Sequence, residues 1–131
     1  MNKVLLLLVS WAIFFVIDMT WIRIIMKSFY ELHMQFLLRQ PMLAIHATAG
    51  FFVWFLLVVG LLFLVLPHVQ TIEQAFLYGA LFGGIVYGVY DLTNFTTLKT
   101  WSLELLFVDW AWGIFVNGCM ACLMYLLDKN L

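Results

Sequence analysis

Three aspartates stand inside long apolar runs: Asp18, Asp91 and Asp109. An Asp at the centre of a bilayer costs roughly 2.5–3.5 kcal/mol on insertion scales, so such groups tend to be paired or functional. Asp18 and Trp21 are three residues apart, and Asp109 and Trp112 repeat that spacing. Each pair sets a carboxylate beside an indole whose N–H can donate to it. Tyr87, Tyr90, Asp91 and Asn94 fall at i, i+3, i+4 and i+7, which is one helix face. An acid and a base at neighbouring positions suit proton transfer on a lipid-soluble substrate, such as isomerisation or hydration. The expected proton-handling pair is Asp91 and Asp109, with Asp18 as a third acid. Asn94, Thr93, Tyr87, Tyr90, Trp21, Trp112 and His46 are the expected ligand-binding groups. Simpler uses compete with this reading. Asp91 can cap a following loop by accepting from Thr93, Asn94 or Thr96. Asp18 can pair with Arg23 or reach the interface.

Other chemistries find less support. Asp and His together suit a divalent metal, but there is no His-x-x-x-His pair and no Glu-rich helix motif, so no metal is expected. A Walker loop, a dinucleotide fingerprint and a Gly-x-Ser-x-Gly elbow are all missing, and no cofactor is expected. Cys119 and Cys122 form a Cys-x-x-Cys without a second pair to relay electrons. Beside Gly118 and Ala121 they read as small packing residues.

These groups need elements that hold them in apolar surroundings. The chain has 131 residues, is 66% hydrophobic and only 10% charged, and has a mean hydropathy of +1.09. A soluble domain this small cannot bury so much apolar surface. Its formal net charge of −1, with no Lys/Arg cluster, argues against nucleic acid as a partner. The composition fits an all-α membrane protein, in one integral membrane domain. Four runs reach the roughly 20 apolar residues that a span requires: residues 3–25, 41–66, 72–92 and 102–127. Pro41 suits a first turn, Pro67 a stop, and Ser102 an N-cap. Lys3 and the apolar run after it imitate a secretory signal, but the run continues through Ile17 without a convincing cleavage site, and we read it as a retained first span.

Between the first two spans, Lys27, Glu31, Gln35 and Arg39 recur every four residues, opposite Phe29, Leu32 and Phe36. This pattern predicts an interfacial amphipathic helix over 27–40, with a cytosolic extension of the first helix as the alternative. The spans alternate in direction, so Asp18, His46, Asp91, Asn94 and Asp109 fall toward one membrane face. Arg23, Lys27, Arg39 and Lys99 gather in the loops on that side, which makes it the cytoplasmic one and puts both termini on the other side. Ala75, Gly79, Gly83, Gly84 and Gly88 suit close helix packing, either within the chain or in a homo-oligomer through Gly79, Gly83, Gly84 and Gly88.

Longer blocks carry a resemblance. They are Gly83-Gly84-Ile85-Val86-Tyr87-Gly88-Val89-Tyr90-Asp91-Leu92-Thr93-Asn94, Thr96-Thr97-Leu98-Lys99-Thr100-Trp101, Val108-Asp109-Trp110-Ala111-Trp112-Gly113, and Asp18-Met19-Thr20-Trp21 with Phe29-Tyr30. Over nearly the full length the chain resembles the bacterial membrane proteins grouped as domain of unknown function 2177. The resemblance implies a small four-helix protein of the bacterial cytoplasmic membrane and no particular activity. It covers Asp18, Trp21, Tyr90, Asp91, Thr93, Asn94, Asp109, Trp112 and Gly113, and leaves out His46 and the cysteines. Besides membrane lipid, the expected partner is a lipid-soluble small molecule. The rival readings are an oligomeric transporter or proton-coupled channel, and a structural subunit of another membrane protein.

Overall fold

A computed structural model describes residues 2–130. The first span combines α1 (Lys3–Thr20) with a π-turn at Trp21–Ile25. A short helix α2 follows (Lys27–Met34). The second span is α3 (Ala44–Gly60), prolonged by a π-turn at Leu61–Val65 and a 3-10 turn at Leu66–His68 that contains Pro67. Then come α4 (Ile72–Thr97) and α5 (Leu103–Asn130). No strand occurs among the described residues. Ser102 accepts from the Leu105 N–H at 3.1 Å, capping α5 as its sequence position suggests.

The four long helical stretches hold 23, 25, 26 and 28 residues. At 1.5 Å per residue each exceeds the roughly 30 Å of a hydrocarbon core. Their outer faces are apolar. On α4, Leu77, Leu81, Ile85 and Val89 form an exposed stripe at helical spacing, opposite the buried Ala75, Gly79, Gly83, Gly88 and Asp91. Water disfavours so continuous an apolar surface, and lipid does not. The protein is an all-α membrane protein with four helices that can span a bilayer.

Several boundaries differ from the sequence reading, among them the end of α5, which runs three residues past Leu127 to Asn130. The amphipathic segment is helical only to Met34, and α3 starts at Ala44 rather than Pro41. Proline disfavours helical geometry in the residue before it, which keeps Gln40 out of either helix. The helix α4 runs five residues past Leu92, to Thr97. Residues 93–96 therefore lie inside the helix, where their N–H groups bond to carbonyls one turn back and need no aspartate cap; the Thr96 and Thr97 hydroxyls donate to the carbonyls of Leu92 and Thr93, each at 2.8 Å.

The α4–α5 seam explains the glycines. A Cβ on Gly83 would sit 2.2 Å from the Gly113 carbonyl oxygen, and one on Gly79 would sit 2.5 Å from the Ala121 Cβ. Gly79, Gly83 and Gly88 are thus engaged within the chain against α5, while Gly84 stays half-exposed with only ordinary contact to Ile114. Spacing revealed a close-packing face but not that its partner was the next helix.

Two apolar clusters fill the interior. The larger joins Leu6, Phe14, Leu57, Leu61, Val116 and Met120 with their neighbours, and the smaller joins Tyr30, Trp101, Leu105 and Leu106. Along α5, Asp109 and Trp112 lie between the two; along the first span, so does Asp18. The helix α4 meets the second span chiefly at Leu61–Val65, so α3 and α4 diverge from that end and leave a cleft.

Candidate functional site

Asp18 is buried, and both of its carboxyl oxygens are used. Oδ1 accepts from the Trp112 indole at 2.6 Å, and Oδ2 accepts from the Trp54 indole at 2.8 Å. One side chain thus ties α1 to α3 and α5. These lengths match hydrogen bonds to an ionised acceptor. Asp18 neither pairs with Arg23 nor reaches an interface.

The two Asp-x-x-Trp blocks do not close on themselves, as the spacing suggested, but exchange partners. Trp112 serves Asp18. Trp21 donates to the Tyr30 hydroxyl at 3.2 Å, and Tyr30 donates in turn to Asp109 Oδ1 at 2.8 Å. The Trp21 and Trp112 rings stack with centroids 4.1 Å apart and planes 1° from parallel. Side chains at i and i+3 point the same way off their helix, so each reaches across to the neighbouring element rather than back to its own. Burial, then the Asp109 carboxylate, push the Tyr30 phenol above its usual range, so it stays a donor.

Asp91 is fully buried, and neither of its oxygens meets an N–H or O–H donor. Its carboxyl faces that of Asp109 within hydrogen-bonding reach. Ionised carboxylates only accept, so such a pair is satisfied by a proton lying between the two groups. Asp91 does not cap a loop. Tyr87 is held by Gly113, where a Cβ would lie 2.0 Å from the Tyr87 Cγ, so the ring rests directly on the α5 backbone. Tyr90 meets Trp101 edge-on, with ring centroids 5.7 Å apart, and Asn94 stands one turn further along α4, half-buried.

A cavity of about 730 Å³ opens onto this network. Asp109, Tyr30, Tyr87, Tyr90 and Trp101 form its polar and aromatic side. Val53 and Leu57 of α3 face Val86 of α4 and Leu105 of α5 across the apolar part. Arg23, Lys27, Glu31, Gln35 and Gln40 stand at the rim. The volume falls in the range of small-molecule sites, which are mostly apolar with a few polar groups.

The expected residues therefore separate. Asp109, Tyr87 and Tyr90 line the cavity; Asp91 abuts Asp109; Asp18, Trp21 and Trp112 form the scaffold beside it. His46 stands apart. Its Nδ1 accepts from the Leu43 N–H at 3.3 Å at the start of α3. Trp54 lies eight residues further on, about 12 Å along the helix. Thr93 is exposed on α4, and beyond the helix's own backbone bonds its carbonyl accepts from the Thr97 hydroxyl. Sequence reasoning missed Trp54 and the role of Tyr30. Trp54 sits in an unbroken apolar run with no polar neighbour to mark it, whereas Tyr30 stood inside a family block.

Cys119 and Cys122 are free thiols, and Cys122 lies 3.4 Å from the Ile72 carbonyl. Among the described residues, no group of three His, Cys, Asp or Glu side chains is placed to hold a metal ion.

No curated protein and no solved structure matches the chain. A family model does, described as "Predicted membrane protein (DUF2177)", over residues 3–126. With that match covering nearly the whole chain, the protein belongs to the DUF2177 family of membrane proteins.

Proposed function

We propose that the protein binds a lipid-soluble small molecule in the cavity beside Asp109 and acts on it by acid–base chemistry. The observation that carries this reading is the Asp91–Asp109 pair: one carboxyl opens onto the cavity while the other is buried behind it without a donor. Asp109 is the group that touches the ligand. Asp91 shares its proton and so sets whether Asp109 gives or takes one. Tyr30 holds the Asp109 carboxyl in place with a single hydrogen bond, leaving room for a second partner. Tyr87, Tyr90 and Trp101 supply flat walls for a planar or unsaturated group. Proton transfer of this kind suits isomerisation or hydration, and neither requires a redox cofactor.

Asp18 has a different part. Both its oxygens are engaged, and it lies outside the cavity lining, so it is a positioning residue. The cleft between α3 and α4 gives the ligand a lateral route from the bilayer. On this reading the cavity rim lies toward the cytoplasmic side of a bacterial membrane, where the basic loop residues gather, and both termini lie on the other side.

Native mass spectrometry from native lipid nanodiscs tests the reading. Wild-type protein should carry a discrete mass distinct from bulk phospholipid. Val86→Trp, which fills the cavity, should lose it while keeping the helical circular dichroism of wild type. Bulk lipid alone on both proteins would overturn the proposal.

A further inference from the structure

We infer that the ligand is an acidic amphiphile, with its anionic head group at Arg23 and Lys27 and its chain in the cleft between α3 and α4. This rests on the cavity reading above and adds the chemical class of what fills it. Charge along the cavity is unevenly placed. The rim carries two cations, Arg23 and Lys27, against one carboxylate, Glu31. The Lys27 Nζ lies 3.9 Å from Glu31 Oε1, a loose exposed contact, while no ion pair engages Arg23 among the described residues. Gln35 and Gln40 add uncharged donors at the same rim.

The opposite end is acidic. Asp109 faces the cavity with Asp91 directly behind it. An anionic head group is drawn to the rim and repelled from this base, so the two ends together fix one orientation. An amine-headed amphiphile would be oriented the other way, with its charge buried.

The apolar part fits a chain. Val53, Leu57 and Val86 line it from helices that diverge toward the rim, so a chain longer than the cavity can pass between them into lipid. The π-turn at Trp21–Ile25 has its own use here. It carries Ile22 and Arg23 to the cavity edge directly after the Asp18 scaffold. Such turns are frequent where a side chain must be re-aimed for function.

The test uses full-length protein in neutral detergent and three amphiphiles with one oleoyl-length chain: oleate, monoolein and oleylamine. Native mass spectrometry reads their occupancy. Oleate should bind at least about tenfold tighter than monoolein, the gain expected of a charge-assisted head-group contact. Oleylamine should bind more weakly than oleate. The double variant Arg23→Gln, Lys27→Gln should bring oleate and monoolein to equal affinity, with monoolein unchanged. Val86→Trp should lower all three together. Inorganic phosphate at millimolar concentration should leave oleate in place; displacement by it would identify a free-anion site and overturn the amphiphile. Equal binding of oleate and monoolein by wild type would overturn the head-group inference and leave the cavity reading standing. Absence of binding by all three would overturn the head-group inference, and a discrete native mass on the same preparation would keep the cavity reading. A preference for oleate that survives the double variant would place the head group elsewhere and refute the assignment.

Discussion

Asp18 should be the most sensitive position in the fold, and Asp18→Asn exposes why. The aspartate accepts two indole N–H groups, at 2.6 and 2.8 Å, from two different helices. Asparagine keeps one acceptor oxygen but turns an amide N–H toward the second indole N–H. Neutral hydrogen bonds between helices in a bilayer average about 0.6 kcal/mol. Those to an ionised group are about twice as strong, so Trp54→Phe and Trp112→Phe should each cost about 1–2 kcal/mol. Asp18→Asn loses one such bond and strands an N–H at about 1–3 kcal/mol, so its cost should be about 2–4 kcal/mol. The two effects must couple. In a Trp112→Phe background no second N–H remains, the amide oxygen can serve Trp54, and Asp18→Asn should then cost about 1 kcal/mol or less. Equilibrium unfolding in mixed detergent micelles, followed by circular dichroism, measures all four proteins. An Asp18→Asn cost that is the same in both backgrounds, or below about 0.5 kcal/mol in the wild type, would refute the bridging role.

Further outcomes follow from the packing and from Tyr30. Gly113→Ala forces a Cβ to 2.0 Å from Tyr87, so it should destabilise by about 1–3 kcal/mol and lower ligand occupancy, measured by thermal unfolding and native mass spectrometry. Gly50→Ala meets nothing within 4 Å on α3, and in the same melt it should be neutral or stabilising by up to about 1 kcal/mol. The raised Tyr30 phenol keeps its proton more tightly folded than unfolded, so its contribution is complete below the ordinary value of 10.0 and is lost as pH rises above it. The stability difference between wild type and Tyr30→Phe should therefore shrink on raising the pH above about 10; a constant difference would contradict the buried Tyr30–Asp109 contact.

Much of this arrangement was legible in the chain. The apolar runs set four spans, and the depth of Asp18, Asp91 and Asp109 along alternating helices put them at one level. The i, i+3, i+4, i+7 spacing put Tyr87, Tyr90, Asp91 and Asn94 on one face of α4, where Asp91 is fully buried and Tyr90 is half-exposed beside the cavity. What spacing does not encode is the rotation of one helix against the next. The indole acceptors were therefore assigned within each Asp-x-x-Trp block, when Trp112 crosses to Asp18 and Trp21 reaches Asp109 only through Tyr30. Trp54 was invisible for the same reason: its partner lies on another helix, and nothing around it in sequence is polar. His46 looked level with the acids, but Asp18 lies near the level of Trp54, about 12 Å further along α3. The glycines of α4 illustrate a general limit: small residues announce a close approach without naming which helix approaches.

The most direct test of the central claim follows a proton. Wild-type protein and Asp109→Asn, each in native nanodiscs, are incubated in D₂O, and the cavity-bound molecule is then released and weighed. Wild type should return a ligand that carries deuterium at a carbon that does not exchange in buffer alone, and Asp109→Asn should return it unlabelled. Identical unlabelled mass from both proteins would contradict acid–base chemistry at Asp109 and leave the cavity as a binding site only.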